Sequence, residues 1–376
     1  MTVTLIDATA IPLDRGGVGR YVDGLISALK GSIVIVCQAR DSAGFAERIP
    51  SARIIPLHHR FASPLFRLVW EQFKLPGVAR RAGADVIHSP HYTIPLATSL
   101  PRVVTFHDAT FFSDPSVHTF AKRHFFRFWL SLSVRLARSV IVPSRSTASE
   151  LARYLGVPER RFTVAYHGVD REMFQPPSAT AVAEASRELL ASHAHWIGFL
   201  GTLEPRKNLA ALITAYFRLA RRLSDEGRDV PVLALAGGRG WGEQLELEPD
   251  GAPDAARVEE LGFVPIELLP AFLGGAQLVA YPSLGEGFGL PVLEAMACGA
   301  PVLTTRLLAL PEVGGDAVAY SEPDEESLAE QMYLLLTDAD RLREMSTAGI
   351  TRAAAFTWDA CARIHEAVYA KAVTDG

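Results

Sequence analysis

The sequence has few cysteines and no long apolar run. Its 376 residues include three cysteines, Cys37, Cys298 and Cys361, which are scattered and odd in number. This usage argues against a disulfide framework and against a zinc cluster. No run approaches about 18 consecutive apolar residues, so no transmembrane helix is predicted. The first ten residues lack the basic region of a signal peptide, and we therefore expect a cytoplasmic location.

Two familiar nucleotide-binding loops are also absent. No Walker-type Gly-Lys-Ser/Thr loop occurs in the chain. The first glycine loop, Gly16-Gly17-Val18-Gly19, lacks the third glycine that the dinucleotide fingerprint needs for close packing of helix on strand. A nicotinamide-dependent enzyme is therefore disfavoured. A pair of glycines that precedes a helix still suits a phosphate or an acceptor.

Acidic residues are missing from one long stretch. Residues 115–149 contain no Asp or Glu but carry six Lys and Arg. Helical spacing predicts a helix near residues 118–138 with one basic face. That face holds Arg123, His124, Arg127, Arg135 and Arg138. The opposite, buried face is predicted to hold Phe125, Phe128, Trp129, Leu132 and Leu136. Two interpretations stay open: a solvated helix surface, or contact with an anionic membrane surface or a phosphate-bearing acceptor.

Charge is distributed unevenly between the two halves of the chain. Residues 1–170 carry 21 Lys and Arg against 12 Asp and Glu, whereas the rest carries 16 against 30. The net charge of the whole chain is only −5. This asymmetry indicates that the first half meets an anionic surface or substrate.

The composition and the order of segments are those of an α/β protein of two or three domains. Hydrophobic residues make up 49% and charged residues 21%, as in soluble globular enzymes. Strand-like and helix-like segments alternate, which is typical of a doubly wound parallel sheet. The first series has predicted strands at 3–7, 32–37, 85–88, 102–106, 139–142 and 161–165. After a connection that follows Pro176-Pro177, a second series has predicted strands at 195–201, 232–236, 258–263, 277–281 and 301–304.

A glycine-rich corner in the second series has the features of an anion-binding site. A predicted strand ends at Tyr281, glycines follow at 285, 287 and 289, and helical spacing begins near Leu290. Glycines allow a ligand to approach the backbone closely. The free N–H groups and the positive dipole end of the helix attract phosphate. Glu286 precedes this helix, and Glu294 lies in its second turn.

Other polar residues follow predicted strands at the sheet edge where open α/β proteins bind ligands. Arg206 and Lys207 stand between a strand and a helix. Because cations oppose the dipole at a helix N-terminus, we expect an anion to compensate them and their side chains to point at a ligand. His107-Asp108 also follows a strand directly. His107 is either a loop histidine satisfied by a neighbour or a ligand contact, and Asp108 is a turn cap or a second contact.

These stretches together resemble the retaining GT-B glycosyltransferases. The similarity rests on the Glu-x7-Glu pattern from Glu286 to Glu294, on Glu204-Pro205-Arg206-Lys207-Asn208, and more weakly on His107-Asp108 and the first glycine loop. It is closest to bacterial mannosyltransferase-like members of glycosyltransferase family 4. The resemblance implies two Rossmann-like, doubly wound domains that face each other across a cleft. Residues 1–175 would bind the acceptor and 190–357 the nucleotide sugar, with the last helix, 358–376, packed back on the first domain.

The resemblance also implies roles for individual residues. The catalytic set would be His107, Arg206, Lys207 and Glu286. The donor-binding set would be Gly17, Gly237, Phe263, Val264, Gly287, Phe288, Gly289, Leu290 and Glu294. The donor would be a GDP- or UDP-linked hexose, with GDP-mannose favoured, and the acceptor a glycan or a lipid-linked glycan. No cofactor, metal or nucleic acid is expected, and the protein would act as a peripheral protein at the inner membrane face.

One motif and one loop depart from this pattern, and two other functions stay open. Asp338-Ala339-Asp340 matches a metal-binding pattern, but its position between two predicted helices favours an N-cap. The stretch 304–309, which precedes Leu310-Pro311-Glu312, departs from relatives, which often have small polar residues there. The alternatives are a hydrolysing nucleotide-sugar epimerase of the same fold and a catalytically silent subunit that binds a sugar nucleotide.

Overall fold

The computed structural model describes residues 2–12, 15–113, 120–191, 193–240, 245–249 and 251–375, apart from the side chains of 62 and 120–122. The chain divides into two compact units. The first unit combines Met1–Gly168 with Thr357–Gly376, and the second is Val169–Phe356.

The described part of the first unit contains a sheet of seven parallel strands. Its order is β3-β2-β1-β4-β5-β6-β7, so the direction of winding reverses between β1 and β4. The strands are β1 (Val3–Ala8), β2 (Ser32–Gln38), β3 (Arg53–Leu57), β4 (Val86–Ser89), β5 (Arg102–Thr105), β6 (Ser139–Val142) and β7 (Phe162–Val164). The central strands are buried on both faces, as parallel strands covered by helices should be.

Seven helices of the first unit connect these strands within the described residues. They are α1 (Gly17–Ala28), α2 (Ser42–Arg48), α3 (Pro64–Phe73), α4 (Leu75–Ala82), α5 (Thr110–Ser113), α6 (Phe120–Leu136) and α7 (Arg145–Leu155). Local sequence sets their ends. The Ser144 side chain caps α7 by accepting from the Thr147 N–H, and Gly156 ends the same helix in the left-handed conformation.

The second unit repeats the plan with a six-stranded parallel sheet in its described part. The order is β10-β9-β8-β11-β12-β13, with the reversal between β8 and β11. The strands are β8 (Trp196–Leu200), β9 (Val232–Ala236), β10 (Val258–Gly262), β11 (Leu278–Tyr281), β12 (Val302–Thr305) and β13 (Ala319–Ser321). The prediction of two Rossmann-like, doubly wound α/β sheets is therefore confirmed.

The second unit has one helix more at its start than the sequence predicts. They are α8 (Ala179–Leu189), α9 (Leu209–Asp225), α10 (Leu269–Gly274), α11 (Leu290–Ala297), α12 (Leu310–Gly314), α13 (Glu325–Leu336) and α14 (Ala339–Ala353). The stretch after Pro176-Pro177, predicted as a connection, forms α8, whose Val182 side chain packs near Gly275. The N-cap prediction for Asp338 is confirmed, because its carboxylate accepts from the Arg341 N–H.

The last helix, α15 (Trp358–Thr374), completes the core of the first unit. A chain of buried hydrogen bonds of 2.8–2.9 Å joins it to α1, β4 and β5. The chain runs Tyr369, His88, Thr105, Tyr21, His365 and the carbonyl of Cys361. The Cys361 carbonyl can only accept, so His365 donates to it from Nδ1. The neutral His365 ring then accepts from the Tyr21 hydroxyl at Nε2, and this fixes the donor in every other bond of the chain.

The orientation predicted for α6 is wrong. Phe125, Phe128 and Leu136, predicted to be buried, are exposed by 37%, 61% and 42%. Residues 118 and 119 of the predicted helix lie outside the described residues. The buried side is formed instead by Trp129, Leu130, Ser133, Val134 and Ala137. The physical reason is that aromatic residues occupy almost every side of the first two turns, so the wheel has no unique apolar face.

Three of the four arginines predicted on the basic face, those proposed to contact the acceptor or a membrane, differ in environment. Arg138 is exposed, and Arg123 is half-buried. Arg127 donates from Nε to the Phe111 carbonyl at 2.7 Å, and its guanidinium lies 5.2 Å from the centre of the Phe112 ring. Arg127 therefore ties α6 to α5 and is not part of a solvated face. No helix among the described residues combines the length and the apolar character that crossing a bilayer requires.

Candidate active site

The glycine-rich corner between β11 and α11 has the predicted form. Gly289 is the N-cap of α11 and has a φ of 100°, a left-handed conformation that glycine adopts without strain. A Cβ at Gly289 would lie 2.9 Å from Leu310 Cδ2, so the position is also crowded. At the start of α11, Pro291 has no N–H group and the Val292 N–H donates to the Gly289 carbonyl at 3.1 Å, so the helix offers the turn formed by residues 285–289 chiefly its positive dipole end.

Glu286 is the centre of a buried polar cluster at this corner. One of its carboxylate oxygens, Oε1, accepts hydrogen bonds from Lys207 Nζ at 2.6 Å, Ser283 Oγ at 2.7 Å and Tyr281 OH at 2.9 Å. Arg206 Nη1 lies 3.0 Å from the same oxygen. Burial alone would raise the pKa of Glu286, but the charges of Arg206 and Lys207 outweigh it and lower the pKa to about 2. Glu286 is therefore ionised throughout the neutral range.

Arg206 and Lys207 come from a short 3-10 turn, Pro205–Lys207, which follows β8. Lys207 is buried and also donates to Tyr281 OH at 2.6 Å. Burial lowers the pKa of Lys207, and the neighbouring Arg206 charge acts in the same direction against the opposing effect of Glu286. Arg206 donates to Glu204 Oε1 at 2.7 Å and to the Gly285 carbonyl.

The compensating anion that the sequence predicts for these cations is therefore part of the protein. Glu286 and Glu204 supply it. The prediction that both side chains point at a ligand stays a prediction, and in the structure each cation is already held by a carboxylate of the same unit. Two charges of each sign share one small, water-poor volume, and an arriving anion would be bound by groups that are already in place.

Sequence reasoning missed three residues of this cluster. Tyr281 and Ser283 bind the Glu286 carboxylate, and Glu204 orients Arg206. Their position offers a signal, because each lies at or just beyond the carboxyl end of a strand, β8 or β11. The end of β12, where the stretch that departs from the family pattern begins, is attached to the same place: Thr304 and Thr305 donate to the carbonyls of Tyr281 and Ser283, both at 2.7 Å.

The remaining residues predicted to contact the donor in the α11 corner are mostly buried. Phe288 packs edge-to-face against Phe356, with ring centres 5.9 Å apart. Leu290 is buried as the first residue of α11, and the Glu294 side chain is buried in its second turn. Phe288 and Leu290 would therefore present backbone groups to a ligand and not their side chains. Gly287 and Gly289, which have no side chains, would do the same.

A second part of the same sheet edge combines close backbone packing with an exposed aromatic ring. Gly237, just after β9, has a φ of 144°, and a Cβ there would lie 1.9 Å from the Gly201 carbonyl oxygen. Its N–H donates to the Gly262 carbonyl at 2.7 Å. Next along the chain from Gly262, Phe263 is 70% exposed while Val264 is buried. The loops after β8, β9 and β10 are thus held together, with Phe263 presented to solvent.

In the first unit, His107 follows β5 and is buried. Its Nε2 donates to the Pro90 carbonyl at 2.7 Å, so the neutral ring keeps Nδ1 as an acceptor. Burial lowers the pKa of His107, which favours this neutral form. Its ring packs edge-on against Tyr21, with centres 5.0 Å apart. Asp108 caps the next turn through Thr110, as one of the two interpretations proposes.

Gly17, the other predicted site residue of the first unit, is the first residue of α1, and a Cβ added to it would meet open space. Among the described residues, no three His, Cys, Asp or Glu side chains are arranged to hold a metal ion.

Comparison with known proteins places this chain in a family. Residues 15–173 match the model of Glycosyltransferase Family 4, and residues 182–352 match that of Glycosyl transferases group 1. The O-antigen chain mannosyltransferase B of Escherichia coli is 31% identical over 366 residues, which cover 92% of this chain and 93% of that protein.

Solved structures share the fold at low identity. Anabaena HepE in complex with UDP and glucose aligns with a TM-score of 0.76 at 18% identity, over 98% of this chain and 100% of that one. Sucrose-phosphate synthase from Thermosynechococcus elongatus aligns with a TM-score of 0.77 at 19% identity, over 100% of both chains. The fold is therefore that of the GT-B glycosyltransferases, and the chain belongs to the glycosyl transferases of group 1, with a family 4 glycosyltransferase domain in its N-terminal half.

Proposed function

We propose that this glycosyltransferase moves a hexose, with mannose as the first choice, from a nucleoside-diphosphate sugar to a hydroxyl of a glycan or lipid-linked acceptor. The configuration at the anomeric carbon is retained, and no metal is needed. The name of the Escherichia coli relative supports mannose as the sugar and a glycan as the acceptor. The Anabaena neighbour, solved with UDP and glucose, supports a nucleotide sugar as the donor.

The observation that carries this proposal is the cluster of Arg206, Lys207 and Glu286 beside the N-terminus of α11. A departing nucleoside diphosphate develops negative charge on its phosphate oxygens. Two cations and the positive dipole end of a helix are the groups that stabilise such charge. Lys207 uses two of its three donors on Tyr281 and Glu286, which leaves the third for a phosphate oxygen. In this proposal these charges take the place of a divalent ion.

The carboxylates and the exposed ring suit the other parts of such a donor. Glu286, ionised and acceptor-only, would accept hydrogen bonds from hydroxyls of the sugar, and Glu294 from those of the ribose. Phe263 offers an exposed aromatic face for the base, and the close packing of Gly237 against Gly201 and Gly262 holds the loops beside it in place.

The transfer step uses groups of the donor itself. The acceptor hydroxyl attacks the anomeric carbon on the face from which the diphosphate departs, and a phosphate oxygen takes its proton. The C–O bond to the phosphate breaks as the new glycosidic bond forms. His107, with Nδ1 as an acceptor, would bind a hydroxyl of the donor sugar from the first unit. No side-chain nucleophile is part of the proposal.

We further propose a peripheral location on the cytoplasmic face of a membrane. The first half of the chain has an excess of bases, and Arg138 is exposed just after the end of α6. With Arg127 engaged by Phe111, the contribution of α6 rests on Arg123, Arg138 and the exposed Phe125 and Phe128. Each base near an anionic leaflet contributes about 1 kcal/mol, so this attraction alone is weak and sensitive to salt.

The function is tested by incubating the purified protein with GDP-mannose, UDP-glucose and other sugar nucleotides, with and without a soluble oligomannoside. We expect nucleoside diphosphate release that depends on the acceptor and is fastest with GDP-mannose. The new linkage, followed by NMR of the anomeric proton, should have the configuration of the donor. An inverted linkage would rule out retention. Release of an epimerised sugar would support the epimerase alternative, and binding without turnover the silent subunit.

A further inference from the structure

Helix α3 presents an unusual apolar surface to solvent. Leu65, Phe66, Val69 and Phe73 are exposed by 68%, 60%, 47% and 76%. Residues 65, 69 and 73 follow at intervals of four, so they form one stripe along this ten-residue helix. Exposed apolar residues scattered singly are ordinary, but a continuous stripe of large side chains marks a binding surface.

The other side of the same helix is already packed. Trp70 belongs to a buried cluster with Leu5, Val34 and Leu75. The helix is therefore apolar on both its inner and its outer face. A helix at a water-exposed surface has a polar outer face, whereas a helix that is apolar on all sides is surrounded by protein or lipid.

The charges around α3 are of one sign. Residues 49–84 contain six Lys and Arg and a single acid, Glu71. Glu71 is fully buried, and burial together with the nearby Asp7 charge raises its pKa to about 8, so it is protonated at neutral pH. The exposed charged residues of this window, which include Arg60 and Lys74, are therefore all positive.

We propose that the α3 surface, defined as Leu65, Phe66, Val69 and Phe73 with Arg60 and Lys74, inserts into the headgroup region of an anionic phospholipid bilayer. This inference rests on the peripheral location proposed above. Apolar side chains buried at the acyl boundary and bases beside lipid phosphates are the two attractions that hold amphipathic helices on membranes.

The charge pattern favours a bilayer over a second copy of this chain. In a two-fold symmetric dimer the same patch would face itself. The bases at 60 and 74 of one copy would then approach those of the other, with no exposed carboxylate within residues 49–84 to pair with them. A bilayer that contains anionic lipid satisfies both the apolar stripe and the bases.

The inner face of α3 connects this surface to the candidate acceptor side of the protein. Glu71 accepts from Thr93 Oγ1 at 2.7 Å, and Gln72 donates to the Ile94 carbonyl at 3.0 Å. The segment they hold begins beside Pro90, whose carbonyl accepts from His107. Insertion of α3 would therefore place the His107 side of the first unit next to the lipid surface, where a lipid-linked acceptor resides.

The test is co-sedimentation of the full chain with vesicles of phosphatidylcholine, with or without 30% phosphatidylglycerol. The test variant is Phe66→Gln/Phe73→Gln, and the matched control is Leu334→Gln, a similarly exposed apolar residue on α13 of the second unit. We expect wild type and control to bind the anionic vesicles alike, and the double variant to bind on the order of tenfold or more weakly. Transfer to a soluble oligomannoside should be unchanged in all three proteins.

Each other outcome overturns the inference in a distinguishable way. Equal binding by the double variant would show that α6 or another surface makes the contact. Absence of binding by wild type would remove the peripheral location as well, while the transfer assay would still report on the proposed function. A wild-type dimer that the two substitutions convert to a monomer, seen by light scattering, would identify a second copy as the occupant.

Discussion

At the scale of single residues, the cluster around Glu286 is a site in which binding and stability share the same atoms. Glu286 is buried with a negative charge, which is tolerated because Lys207 and Arg206 lie within 3.0 Å. Removing one partner of such a pair leaves a buried charge without full compensation. Lys207 therefore contributes to the fold as well as to the donor binding proposed above, and we expect variants at this site to change both.

We expect this dependence to appear in a double-mutant cycle. Lys207→Met should lower the free energy of unfolding by about 1–3 kcal/mol, because Glu286 loses its shortest hydrogen bond while Arg206 remains. Adding Glu286→Gln should recover part of this loss, since the carboxylate that needed the cation is then neutral. Urea denaturation of the two single variants and the double variant measures the coupling. Additive effects would contradict a direct coupling between the two charges.

At the scale of elements, the loops after β8 and β9 are held by contact of backbone with backbone. Gly237 allows this because any side chain there would collide with the Gly201 carbonyl. The neighbouring Gly238 has open space around its Cβ position and no left-handed φ. The two glycines are adjacent in sequence, yet only the first is constrained by packing.

Substitution of these two glycines should therefore change the free energy of unfolding by very different amounts. Gly237→Ala should destabilise the second unit by about 2–4 kcal/mol, because the loops must separate and a non-glycine residue must adopt a φ of 144°. Gly238→Ala should change stability by less than about 0.5 kcal/mol. Thermal unfolding compares the two variants. A Gly237→Ala protein as stable as wild type would show that the loops separate without cost.

The sequence predicts elements well where a local pattern determines them. The β11–α11 corner is an example, because its glycines, the strand before it and the helix after it lie within about 20 residues. The orientation of α6 is not predictable in this way, since Phe125, Phe126, Phe128 and Trp129 occupy most sides of the helix. Only the sheet against which α6 packs selects Trp129 for the buried side.

At the scale of the whole molecule, long-range contacts determine what the sequence does not reveal. Lys207 and Glu286 are 79 positions apart, and Tyr21 and His365 are 344 positions apart. The directed chain of hydrogen bonds from Tyr369 to Cys361 joins the two ends of the sequence inside the first unit. Strand order brings such residues together, and a single sequence carries no signal for the pairings. The family resemblance identifies Arg206, Lys207 and Glu286 but not the bonds among them.

We propose that charges of the protein in the second unit bind the diphosphate of a nucleotide sugar without a metal. The cations of this predominantly acidic half are concentrated, in this account, at the place where the leaving group departs. Removing Arg206 should slow turnover by on the order of a hundredfold, comparable with the loss of one donor from an oxyanion site.

The most direct test is turnover of GDP-mannose with a soluble oligomannoside in excess EDTA, for wild type and Arg206→Ala side by side. We expect wild type to keep its full rate in the chelator, and we expect Arg206→Ala, folded by circular dichroism, to be about a hundredfold slower. Loss of wild-type turnover in EDTA that Mn²⁺ or Mg²⁺ restores, or an unchanged rate in Arg206→Ala, would contradict the proposal that protein charges bind the diphosphate without a metal.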